Sequence, residues 1–378
     1  MRAPASIRTA PSIRTAPAPR LNRQTLGLGA ALVVSGVLLL SPAARTPPSA
    51  VAVPLALAWA HAQTGITPAT LPDGSAYQPE LFLDAHTSVG TAPSPDGTSL
   101  RLVLRSAASS IRLLRSQPLK DAPSFGYLTT STQANTDVLA WVERTQSGPL
   151  QLWTINLGDG RPAREVTSDV GNFVSSDSQY DLSLTGGRLH WAAADHVDAV
   201  EVRSVALTGG VVERRTESGT WQLSTWPWLV NGLGTPRGAT TLRNTATHHD
   251  VRISRATGLS TTRCSPTWCH IVIHAPDGSI HVDLQHPDGS RREPIPGDGL
   301  LPAITEVAPL DRFEVLSKLG PNTDVTHTGP LLVYEIATRR TVELSPDAGA
   351  VSYGHGVLWW SNGNQATTIW HSLDLRTI

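Results

Sequence analysis

Residues 138–167 read VLAWVERTQSGPLQLWTINLGDGRPAREVT, and the order of patterns within them decides the fold. An apolar alternating run at 138–142 gives way to a polar loop and a second run at 150–157. A Gly158-Asp159-Gly160 turn and a short third run ending Glu165-Val166-Thr167 follow. Period-two apolar runs joined by Gly-rich turns predict three strands of an antiparallel meander. Related runs recur at 100–104, 189–191, 228–230, 269–274, 313–317 and 357–360. With Leu100, Leu139, Leu189, Leu229, Cys269, Phe313 and Val357 as marks, the intervals run from about 39 to about 50 residues, the range of propeller blades. Only 16% of the 378 residues are charged and the formal net charge is −1, so no basic footprint points to nucleic acid. Abundant Gly, Pro, Ser and Thr without long helical periodicity suit many short strands joined by turns.

The expectation is an all-β chain, a seven-bladed β-propeller, with a six-bladed ring carrying a long insertion as the fallback. Trp141, Trp191, Trp228, Trp268 and Trp359 stand at or beside the marks, where large rings wedge between neighbouring sheets. The fourth blade is the weak one, since only a faint strand near 240–243 follows Trp228-Leu229-Val230. A propeller avoids a free edge by letting one end of the chain complete the blade begun by the other. The alternating run Glu80-Leu81-Phe82-Leu83-Asp84 has no blade of its own and is expected to close the ring against the final strand near Ile369.

Ser94-Pro95-Asp96-Gly97, followed by strand-like runs at 100–104 and 111–114, resembles the SPDG-then-strand repeat of TolB-like β-propellers. In that family the turn precedes the second strand of a blade. Pro-Asp-Gly forms a tight turn in which Gly supplies positive φ. The resemblance covers the repeat unit only. Pro276-Asp277-Gly278 and Pro287-Asp288-Gly289 fall in outer turns, Ser345-Pro346-Asp347 precedes an inner strand, and residues 63–79 leave no room for the α/β domain that precedes the propeller in the family. The resemblance implies an exported propeller that binds partners.

Ahead of the repeats, residues 1–25 carry Arg2, Arg8, Arg14, Arg20 and Arg23, no acid, and SIRTAP twice, and read as a disordered basic leader. Residues 26–44 are apolar with arginines only on their N-terminal side, the pattern of a signal peptide or membrane anchor. Ser41-Pro42-Ala43 and Ala60-His61-Ala62 both offer small-x-small cleavage points. Everything downstream is then extracytoplasmic: periplasmic, cell-surface or secreted. Residues 45–78 read as a linker, polar and turn-rich from 63 onward, and 79–378 as the propeller.

In a meander, second-to-third loops and blade-to-blade connections share one face. The third-to-outer turns are tight, whereas 169–187, 231–239 and 318–329 are long and fall on the other face. Asp195, His196, Arg237, Asp324 and His327 would be presented there to a protein or cell-envelope partner. Cys264 and Cys269 are the only cysteines, and their hairpin spacing in an exported chain reads first as a disulfide. Free thiols, or a metal site shared with His270 or His274, are the alternatives. The histidine-rich set His248, His249, His270, His274, His281 and His286 receives no role. The sequence holds no G-x-S-x-G, H-E-x-x-H, P-loop, dinucleotide fingerprint or EF-hand loop, so no cofactor or metal is assigned. Propeller enzymes build sites from scattered channel residues, so the reading leans away from catalysis without closing the question. The rival to a binder is a channel-mouth lyase or hydrolase acting on a glycan or peptide.

Overall fold

The computed structural model describes residues 52–106, 110–133, 136–196, 198–256, 258–320, 327–364 and 366–378. Their strands form seven sheets arranged as the blades of a propeller. Blade one is Gln78–Phe82, Ser88–Pro93, Ser99–Arg105 and Ile111–Pro118, and blade two is Ser124–Gln133, Thr136–Arg144, Gln151–Asn156 and Arg164–Thr167. Blade three has a divided inner strand, Asn172–Phe173 and Leu182–Thr185, then Arg188–His196, Ala199–Ala206 and Glu213–Ser218. Blade four is Trp221–Leu223, Trp228–Asn231, Thr241–Asn244 and His249–Arg252, and blade five is Ser260–Cys264, Cys269–His274, Ile280–Gln285 and Glu293–Pro294. Blade six is Leu300–Pro302, Phe313–Lys318, Gly329–Glu335 and Arg340–Ala348, and blade seven begins with Val351–Gly354, Val357–Asn362 and Ile369–Asp374.

The apolar second strands follow from this geometry, because each lies between two other sheets and is buried on both faces. In blade two, Leu139 and Trp141 point one way and pack with Val89, Leu102 and Leu114 of blade one. Ala140 and Val142 alternate to the other side and pack with Leu182, Leu189 and Trp191 of blade three. One alternating strand thereby glues three blades. Burying a side chain such as Leu139, which has 0% exposure, contributes about 2 kcal/mol. Trp141 and Trp191 are fully buried, Trp268 and Trp359 nearly so, and Trp228 is half-buried against Val230 and Leu242. Blade four is complete, with its third strand at Thr241–Asn244 and its outer strand at His249–Arg252, so the ring has seven blades and the six-bladed alternative falls away.

Ring closure is where sequence and structure part. Leu81 pairs with Val89 inside blade one, so 80–84 is not the closing segment. The outer strand of blade seven is Thr64–Pro68, antiparallel to the last strand, with Ile66 opposite His371 and Pro68 opposite Ile369. Residues 63–78, read as a spacer, hold this strand together with the buried Leu71 and Tyr77. The alternation misleads because the apolar residue faces outward. Ile66 is 70% exposed while Gly65 and Thr67 face in. Gly65 lies so close to blade one that a Cβ there would stand 1.8 Å from the Ala85 carbonyl oxygen. The phase of blade one shifts with it. Leu100 marks a third strand, and Ser94-Pro95-Asp96-Gly97 joins the second strand to the third. Further upstream, Val53–Pro54 adds in parallel to the edge of blade six, and Trp59 packs edge-on against Phe313 with centroids 5.7 Å apart.

Cys264 and Cys269 face each other across the first hairpin of blade five and form a disulfide. No helix among the described residues is long and apolar enough to cross a membrane, and residues 1–25 and 26–44 lie outside them.

Candidate functional site

The inner strand of blade three is interrupted. Phe173 pairs with Ala193 and Leu182 with Trp191, so residues 174–181 leave the sheet and return to it. This excursion enters the central channel. It is tied to itself by Asp181, which accepts from Ser176 N at 2.8 Å, Ser176 Oγ at 2.7 Å and Ser178 N at 3.2 Å. Across the channel, Glu306 of blade six accepts from Gln179 N at 2.9 Å and Ser178 Oγ at 3.1 Å. Thr305 Oγ1 donates to the Asp177 carbonyl at 2.9 Å. From blade seven, His355 N donates to Gln179 Oε1 at 2.8 Å, and from blade two Tyr127 OH donates to Ser175 Oγ at 2.8 Å. The excursion is a plug from blade three held by three other blades.

The titratable groups around it are displaced from their ordinary values by burial. Burial pushes the Asp181 and Glu306 carboxyls up, and the Tyr180 and Tyr353 phenols with them. It depresses the His355 imidazole to about 4, with Arg376 adding to the effect. His355 is therefore neutral at pH 7, consistent with Nε2 accepting from Thr130 N at 3.4 Å. A histidine, two carboxyls and two phenols thus gather in the channel, the ingredients of acid–base chemistry. Yet the oxygens of Asp181 and Glu306 are occupied by the hydrogen bonds that seat the plug. Among the described residues, no group of three or more His, Cys, Asp or Glu side chains could hold a metal ion.

Besides a small space of about 30 Å³ against Ser176, Ser178 and Tyr180, two larger cavities border the plug, and Asp177 lines both. One, of about 360 Å³, is bordered by Phe125, Tyr127, Arg144 and Phe173 of blades two and three. The other, of about 540 Å³, is bordered by Arg263, Ile304, Thr305, Ser352 and Tyr353 of blades five to seven.

The residues expected at a partner face are placed apart from this centre. Asp195 and His196 sit at the second-to-third hairpin of blade three, 3.5 Å from each other, with the histidine side chain 81% exposed. Arg237 is exposed in the corresponding loop of blade four. That loop leans onto blade five, where the Arg237 carbonyl accepts from Thr262 N at 3.1 Å and Gly238 bridges Thr262. His327 is exposed in the loop of blade six, and Asp324 lies outside the described residues. Among the described residues, no hydrogen bond or ion pair joins these three loops to one another. His270 is buried, with Nδ1 2.7 Å from Glu314 Oε1 of blade six, a bond that ties two blades together. In sequence the plug has the polar composition of a loop over 169–187. Its one sequence signal is length, since blades three and four are joined by only the short step from Ser218 to Trp221.

No protein-family model matches the chain, and no curated protein matches it in sequence. Among solved structures it is similar to TolB from Acinetobacter baumannii, at 12% identity and a TM-score of 0.40, over 70% of this chain and 65% of that one. In fold it resembles the TolB-like β-propellers. It is also similar to a Mycobacterium tuberculosis puromycin-hydrolyzing peptidase, at 12% identity and a TM-score of 0.43, over 76% of this chain and 49% of that one. A third similar structure is the WD40 domain of SCAP from fission yeast, at 11% identity and a TM-score of 0.40, over 83% of this chain and 92% of that one. The chain spans less than two thirds of the length of the Acinetobacter protein and about half of the mycobacterial one. At such identities the likeness concerns the fold alone.

Proposed function

We propose that this protein is an extracytoplasmic β-propeller that binds another protein or a cell-envelope component through the face bearing its second-to-third loops. Residues 26–44 would hold it at the membrane where that segment is retained. The observation that carries this reading is the plug. The channel is where a propeller enzyme would place its chemistry, and here the buried acids spend their oxygens on holding residues 174–181 in place. The rim is free by contrast. Asp195, His196, Arg237 and His327 are exposed there, and Leu119, Leu259 and Leu319, 40%, 74% and 40% exposed, stand at connections on the same face. Exposed apolar side chains among charged and imidazole groups suit a protein surface better than a small substrate. The disulfide agrees with an oxidising compartment.

One observation favours the rival reading of a channel lyase or hydrolase, namely the gathering of His355, Glu306, Asp181 and Tyr180. It requires Asp181 and Glu306 to give up the hydrogen bonds that seat residues 174–181. Affinity capture from envelope extract with the whole protein separates the two readings. A rim variant, Arg237→Glu with His327→Asp, should lose the partner, and a plug variant, Gln179→Ala, should keep it. Turnover of a glycan or peptide panel by a protein that captures nothing would establish the rival.

A further inference from the structure

Arg263 lies near the end of the inner strand of blade five, half-buried, and borders the cavity of about 540 Å³. Other part-buried arginines of the ring are paired, as Arg115 is with Glu143, Arg203 with Asp169 and Glu201, and Arg312 with Glu335. Arg263 has no hydrogen bond or ion pair from its guanidinium to any described residue. Five donors without a partner in a partly desolvated place favour an anion brought from outside. The backbone beneath it is fixed on both sides. Thr262 is gripped by the blade-four loop through Ala239 N and the Arg237 carbonyl, and Cys264 is held by the disulfide. The strand that carries the guanidinium is therefore fixed in place.

The complementary charge lines the same cavity. Asp177, at the exposed tip of the plug, has no cationic partner among the described residues, and its carboxylate meets only Ser175 Oγ at 3.4 Å. Ile304, Val351 and Ser352 line the same cavity. The volume falls within the roughly 300–1,000 Å³ of small-ligand sites. The lining holds one cation, Arg263, and two carboxyl groups, Asp177 and the plug-seating Glu306, and these reject a polyanion, which would meet Asp177. They accept a molecule carrying both charges.

We propose that this cavity binds a small zwitterion, a free amino acid or a short peptide with free termini, with its carboxylate on Arg263 and its ammonium facing Asp177. The site is separate from the rim, so it stands or falls independently of the macromolecular partner.

Calorimetric titration of the whole protein tests it, with L-alanine, trialanine, trialanine amide, N-acetyl-trialanine and inorganic phosphate as probes. L-alanine or trialanine should bind one to one, and which of them binds more tightly separates the free amino acid from the peptide. Blocking either terminus should weaken binding by roughly tenfold or more, the loss expected for a charge-assisted hydrogen bond. Arg263→Gln should weaken binding by roughly tenfold to a hundredfold with an unchanged thermal midpoint, since the guanidinium has no partner in the fold. Ser352→Trp, which fills the cavity, should abolish binding. The proposal is overturned if neither zwitterion binds at millimolar concentration, if phosphate binds as tightly as they do, if Arg263→Gln binds normally, or if that variant loses stability.

Discussion

Replacing Gly65 by alanine should open the ring. A Cβ at this position would stand 1.8 Å from the Ala85 carbonyl oxygen and 2.7 Å from Ser372 Oγ, whereas ordinary contact begins near 3.4 Å. Both neighbours are buried, and Ser372 Oγ donates to that same carbonyl at 2.6 Å. The closing strand must therefore shift outward, and the hydrogen bond across blades seven and one is lost with it. Overpacking and an orphaned buried carbonyl together amount to about 3 kcal/mol. Two controls divide that figure. Ser372→Ala removes the hydrogen bond without the clash and should cost about 1 kcal/mol. Gly74→Ala meets nothing within 4 Å but sits at φ +84°, so its cost of about 1 kcal/mol is local backbone strain alone. Urea denaturation followed through tryptophan fluorescence is the assay, because Trp370 pairs directly with Thr67 of the closing strand. Hydrogen exchange should show the amides of residues 64–67 and of Ile369–Asp374 losing protection in Gly65→Ala while blade four keeps it. A Gly65→Ala protein within about 0.5 kcal/mol of the parent, with those amides still protected, would refute this account of closure.

Other consequences can be checked in the same protein. Replacing both Cys264 and Cys269 by serine should lower stability by about 2 kcal/mol, the chain-entropy value for so short a loop, measured as a fall in thermal midpoint that reductant reproduces in the parent. Glu314→Ala leaves His270 and Ala308 N without their buried acceptor and should destabilise by about 3 kcal/mol, far more than removing an exposed carboxylate such as Asp195. Burial raises the Glu80 carboxyl to about 7, so the folded state holds its proton more tightly than the unfolded chain does. The associated stability is full below about pH 4.5 and is lost as pH rises toward 7, so Glu80→Gln should flatten the midpoint-versus-pH curve in that window. His190 has the opposite sign. Burial, with Arg188 adding, holds its imidazole down to about 4, so its contribution is complete above about pH 6.5 and fades as pH falls toward 4. His190→Phe keeps the stack on Trp226, whose centroid is 3.8 Å away, and should remove that acid sensitivity in thermal scans.

The blade count was legible because its cause is local. A strand packed between two sheets must be apolar on both faces, so Leu139-Ala140-Trp141-Val142 and its counterparts stand out at regular intervals. The disulfide was legible for a similar reason, since five residues of separation fit a hairpin whose ends face each other. Blade four was read as faint because much of it is polar. His249 and Asp250 on its outer strand are exposed and carry no apolar signal.

What the chain's own pattern settled was therefore the number and kind of its sheets, through alternation and turn residues that act over a few positions. Which segment seals the ring was decided only in three dimensions. Gly65 and Thr67 are the inward side of the closing strand because the space beside Ala85 admits nothing larger, and alternation cannot register a side chain chosen for being absent. The plug belongs to the same class. Its Ser, Gln and Asp residues resemble those of any exposed loop until Glu306, 127 residues further along, supplies the acceptor that holds Gln179 in the channel. A hydrogen bond between polar groups so distant in the chain leaves no local periodicity, and only the closed ring brings its two ends within reach.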